Sequence, residues 1–180
     1  MANFLNTSEL KDFLDSKVVQ YNNSRFIESD PIQVPHQFNE KEDIEIAAFL
    51  TATIAWGNRK SIIKNAKYMM QLLDNSPSDF VMNHQETDLE QLLPFVHRTF
   101  NGNDFIQFIK CLRHIYETHL GLENVFSKHA ETNSLQKSIH QLKKVFFEIE
   151  HLQRTQKHNR CGELELGIVQ YCINGVAKTD

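Results

Sequence analysis

IEIAAFLTATIAW (residues 44–56) is apolar nearly all round, and GNRKSIIKNAKYMM (residues 57–70) follows it without a linker. Thirteen residues with almost no polar face describe a helix buried on every side, the centre of a fold rather than its surface. Acidic residues crowd its first turn (Glu40, Glu42, Asp43, Glu45), where the helix dipole favours negative charge. A helix from about Glu40 to Trp56 is therefore expected, ended by Gly57. Asn58 can cap the next helix, whose apolar stripe is Ile62, Ile63, Ala66, Met69, Met70 and Leu73. So short a turn makes the two helices pack as a hairpin.

Helical spacing continues outward in both directions. Leu10, Phe13, Leu14, Val18 and Tyr21 mark a first helix, opened by Thr7 or Ser8. Residues 23–39 read as an extended connection, because Pro31 and Pro35 push their neighbours out of helical geometry. Pro77 suits the first position of a short helix, and a brief turn is expected from Asp88 to Leu93. Asn101 or Asn103 then caps a helix carrying Phe105, Phe108, Ile109, Leu112, Ile115 and Tyr116, broken at Gly121. One more turn follows at Leu122–Phe126. The last clear helix starts at Asn133 or Ser134 and runs through Leu135, Ile139, Leu142, Phe146, Ile149 and Leu152.

The fold class is therefore all-α: an irregular bundle of about six to eight helices, not an up-down bundle, since helix lengths vary and the connections are uneven. A single helical domain over residues 1–158 is expected. The tail CGELELGIVQYCINGVAKTD (161–180) loses the helical period and gains alternating β-branched residues with three glycines. A lone strand finds no partner in such a chain, so residues 159–180 are expected to be poorly ordered. The abrupt change at Asn159 and Arg160 suggests a shifted reading frame or truncation after about His158.

Composition narrows the function classes. The 180 residues are 41% hydrophobic and 23% charged, which suits one compact core. No apolar run approaches the roughly 20 residues of a membrane span. Three cysteines with no CxxC pair fit a reducing cytoplasm better than a disulfide framework. A net charge of −4 argues against a general nucleic-acid binder, although a local basic patch is compatible with it. No HExxH, GxGxxG, Walker-type loop or GxSxG is present, and no two histidines sit four apart. No metal and no cofactor is expected.

Three polar clusters sit at helix junctions. Trp56, Gly57, Asn58, Arg59 and Lys60 form a glycine turn entering a helix N-terminus, where free N–H groups and cations can hold a phosphate. The plainer reading makes Trp56 core, Asn58 a cap, and Arg59 and Lys60 solvated. His97 and Arg98 lie between aromatic residues, so Arg98 can clamp a phosphate or carboxylate. Equally, Arg98 can bond loop carbonyls while His97 covers Phe95 or Phe100. His151, Arg154 and His158 share one helix face and, with Lys157 and Arg160, make the most basic stretch of the chain. Such residues also complement a helix C-terminus without any ligand.

The segments DPIQVPHQF, EIAAFLTATIAWGNRKSI, SPSDFV, FVHRTFNGND and RTQKH resemble a bacterial family of uncharacterised proteins carrying a domain of unknown function, over most of residues 8–158. At a second level, IAAFLTATIAWGNRKSIIKNA resembles the helix and polar turn of helix-hairpin-helix DNA glycosylases. That resemblance implies a related helical domain in which Trp56, Gly57, Asn58 and Arg59 face a minor groove. The glycine-rich hairpin and following Asp of those enzymes have no counterpart after His158, so no base excision is expected. Three readings follow: a catalytically incomplete, glycosylase-like DNA-binding domain; a helical protein-interaction module without nucleic acid; and a small-molecule enzyme using His97 and Arg98 on an anionic substrate.

Overall fold

A computed structural model describes residues 6–131 and 134–149. Eight α-helices occur among them, with one two-stranded hairpin, so the fold is all-α as the periodicity requires. Residues 159–180, together with Arg154 and His158, lie outside the described residues.

Helix α1 (Thr7–Tyr21) is capped by Asn6, not by Thr7 or Ser8. The Asn6 side chain accepts from the Glu9 amide while Glu9 reaches back to the Asn6 amide, a reciprocal capping box. It buries no residue among those described, and Phe13, Leu14 and Tyr21 are each about half exposed.

The connection expected to be extended is instead a run of tight turns. Helix α2 (Ser24–Ser29) is capped by Asn23, and two 3-10 turns follow at Pro31–Gln33 and Pro35–Gln37. Proline disfavours a helix before it but suits the first position of a new one, and both prolines stand there. Asp30 supplies the cap, accepting from the Ile32 amide at 3.1 Å.

Helix α3 (Lys41–Thr53) is the centre of the molecule. Every residue from Ile44 to Ala52 is buried, and the helix stops three residues before Trp56. It packs against α4 (Arg59–Leu72), α5 (Pro77–Asn83) and the proline turns. Asp43, in its first turn, accepts from the Ser78 amide at 2.8 Å and so fixes the start of α5.

A 3-10 turn (Asp88–Leu92) leads to strands β1 (Val96–His97) and β2 (Phe100–Asn101), antiparallel with His97 opposite Phe100. The sequence reading did not foresee this hairpin, whose two-residue strands are too short for an alternating pattern. Helices α6 (Gly102–His119), α7 (Leu122–Ser127) and α8 (Gln136–Phe146) complete the described chain. Phenylalanines weld these layers together. Phe108 meets Phe146 at 4.8 Å and Phe100 at 5.2 Å between ring centroids, and Phe49 of α3 meets Phe146 at 5.5 Å.

Glu45 and Asp104 are the carboxylates buried among the described residues. Glu45 accepts from the Tyr116 hydroxyl at 2.6 Å and from the Leu122 amide at 3.2 Å, tying α3 to the α6–α7 junction. Burial pushes its carboxyl above the ordinary range.

Candidate functional site

The turn after α3 and the β1–β2 hairpin are remote in sequence, and the fold brings them into contact. Ile54 to Gly57 leave helical geometry, with Gly57 at φ +114°, a value side-chain-bearing residues rarely adopt. Asn58 then caps α4 through its side chain, which accepts from the Lys60 amide at 3.0 Å and the Ser61 amide at 3.3 Å. This is the cap the sequence suggests.

The hairpin is aimed at that turn by packing. Phe95 and Phe100 are fully buried, and Tyr68 of α4 stacks on Phe95 at 6.1 Å. Asn101 closes the hairpin by capping α6, in a capping box with buried Asp104. Gly102 lies so close to the preceding turn that a Cβ would sit 2.3 Å from the Leu93 carbonyl oxygen. The motif FVHRTFNGND thus divides by role. Phe95 and Phe100 anchor, Asn101, Gly102 and Asp104 start α6, and His97 and Arg98 are left to face the Trp56 turn.

His97 is buried, and both ring nitrogens are engaged. Nε2 lies 3.4 Å from the Trp56 carbonyl, so it is the protonated nitrogen and donates. Nδ1 then accepts from the Asn65 side-chain amide at 2.8 Å. The ring also meets Trp56 edge-on at 5.7 Å. Burial lowers its pKa below the ordinary imidazole value. His97 therefore binds the hairpin to α4 as a neutral ring.

Arg98 is exposed and backbone-strained. It opens the two-residue turn with φ 55°, an uncommon conformation for a residue with a side chain. Its guanidinium carbon lies 5.3 Å from the Trp56 ring centroid, a cation–π contact worth about 0.5–1 kcal/mol at an exposed site. No carboxylate among the described residues lies within ion-pair distance of it. Arg59, by contrast, leans toward Asp30, with Nη2 3.8 Å from Oδ2.

Helix α4 adds charge beside this junction. From Trp56 to Leu73 the chain holds Arg59, Lys60, Lys64 and Lys67 and no acidic residue. Lys60, Lys64 and Lys67 are exposed on one helix face, opposite buried Ile62, Ala66 and Met69.

Of the sequence-derived candidates, Trp56, Gly57, His97 and Arg98 come together. Asn58 and Arg59 are adjoining but occupied by a cap and an acidic neighbour. A further polar cluster was not legible: His114 and His119 of α6 converge with Glu148, beyond α8. A spacing of five residues matches no helical ligand template, and Glu148 arrives by tertiary packing alone.

The proline turns, the buried α3, the Trp56 turn and the FVHRTFNGND hairpin all fall within the stretch matched by one family profile. No curated protein and no solved structure matches the chain significantly. The family profile described as "Protein of unknown function (DUF2400)" matches residues 30–164, and the chain belongs to that family.

Proposed function

We propose that the Trp56–Arg98 junction binds the phosphate backbone of a nucleic acid, as a glycosylase-like domain without base-excision chemistry. One observation carries the reading: an exposed arginine with no carboxylate partner is held against a tryptophan by a strained turn. Backbone strain is retained where the surroundings impose a geometry, and such positions cluster at binding sites. The lysines of α4 supply the electrostatic attraction that phosphate recognition needs, although the whole chain is acidic. The resemblance of the α3–α4 turn to the DNA-facing turn of helix-hairpin-helix glycosylases points the same way. Arg154 and His158 belong to this proposal as basic residues of the following segment.

The enzyme reading through His97 loses support, because that ring spends both nitrogens on the fold. No helix among the described residues is long and apolar enough to cross a membrane. A reducing, cytoplasmic setting is part of the proposal, and the buried free thiol of Cys111 is compatible with it.

The test is anisotropy of labelled duplex, abasic and single-stranded DNA against the full chain, over a range of salt. Binding should fall steeply as salt rises, and Arg98→Ala should weaken it and reduce the salt slope by about one. Absence of binding at low salt would overturn the proposal and leave the protein-interaction reading in its place.

A further inference from the structure

We propose that His114, His119 and Glu148 form a binding site for a divalent transition metal, zinc foremost, at the seam between α6 and α8. Nε2 of His114 lies 3.0 Å from Glu148 Oε2, and Nε2 of His119 lies 3.1 Å from the same oxygen. All three ligand atoms fall within 4.8 Å of one another. Metal–nitrogen and metal–oxygen bonds of about 2.0–2.2 Å in tetrahedral geometry put ligand atoms roughly 3.3 Å apart. Both nitrogen–oxygen separations are already near that figure.

The donor set is the right chemistry. Two imidazoles and one carboxylate suit zinc and its neighbours better than calcium or magnesium, which favour all-oxygen shells. The side chains are 23%, 29% and 44% exposed, so an ion can enter and solvent can fill a fourth position. The two rings stand edge to face with centroids 5.8 Å apart.

The supports are rigid. His114 lies within the last turns of α6, and His119 is its final residue, followed by Leu120 in the left-handed region at φ 62°. Glu148 is carried by the turn that ends α8, where its amide bonds the Val145 carbonyl at 3.1 Å. Without an ion, shared protons hold the three groups together. With one, the metal replaces those protons and joins the end of α6 to the end of α8.

The experiment is calorimetric titration of zinc chloride into the chelator-stripped full chain, with thermal unfolding followed in parallel. The expected result is saturable uptake of one ion that raises the melting temperature. Glu148→Gln can still hydrogen-bond a neutral imidazole but loses the anionic ligand, so it should weaken this uptake about tenfold or more. His114→Asn with His119→Asn should abolish it, while circular dichroism shows the helices intact. No saturable uptake, or uptake unchanged by these variants, overturns the proposal.

Discussion

The guanidinium of Arg98 fills the space that a side chain at Gly57 would need. A Cβ on Gly57 would lie 2.5 Å from Arg98 Nη2 and 2.8 Å from Cζ. Glycine at 57 thus serves both the backbone, at φ +114°, and the seat of the arginine. Gly57→Ala should cost about 1–2 kcal/mol of stability for the strained backbone. It should also displace Arg98, so nucleic-acid affinity should fall as far as in Arg98→Ala. Trp56 is the single tryptophan, and its fluorescence should report the displacement directly. Emission unchanged in Gly57→Ala would mean that the guanidinium does not rest there.

Gly102 is constrained differently. What a Cβ meets there is backbone, the Leu93 carbonyl oxygen and Cα and the Leu92 carbonyl oxygen, which cannot swing aside as an arginine can. Gly102→Ala should therefore destabilise the chain more than Gly57→Ala does, by about 3 kcal/mol. Urea denaturation of the two variants side by side checks the order.

Asn101 accepts from the Asn103 and Asp104 amides at 3.1 and 3.2 Å. Asn101→Ala should cost about 1 kcal/mol as a lost cap, and Asn101→Asp much less. Because the cap also closes the hairpin, the alanine variant should lower DNA affinity without removing any phosphate contact. Equal affinities for the two variants would detach the cap from the site.

His97 gives the junction a pH response. Its folded pKa is depressed, so the unfolded chain binds more protons between that value and the ordinary 6.5. Stability is therefore present above pH 6.5 and is lost as pH falls through the folded value. Protonation also removes the lone pair that accepts from Asn65. Buried Glu45 acts in the opposite sense: its raised carboxyl contributes stability that is fully present below the ordinary 4.5 and is lost as pH rises through the folded value. The difference between the native chain and His97→Asn isolates the imidazole. Melting temperatures below pH 6.5 should converge, and curves that stay parallel would remove His97 from the response.

Much of this fold could be read from particular residues. The run from Ile44 to Ala52, apolar nearly all round, has no surface solution, so α3 is central. Asn58 and Asn101 are caps with the acceptor oxygens that helix N-termini require. Pro31 and Pro35 each start a 3-10 turn rather than extend the chain, because the fixed φ of proline suits the first position of a new turn. The candidate site was legible only in halves. Trp56–Gly57 and His97–Arg98 each stood out, but their meeting depends on Tyr68 against Phe95 and Asn65 against His97, contacts no local pattern encodes. His114, His119 and Glu148 left no sequence trace for the same reason.

The dependence of the junction on remote contacts has a kinetic consequence. Trp56 and Asn58 can reach their local geometry as soon as α3 and α4 pair, since a short turn closes quickly. Arg98 reaches the ring only after the intervening chain has folded and the hairpin has docked on α4. The Arg98–Trp56 contact therefore forms late in assembly, and chains arrested with α3 and α4 paired would carry only the Trp56 half of the site.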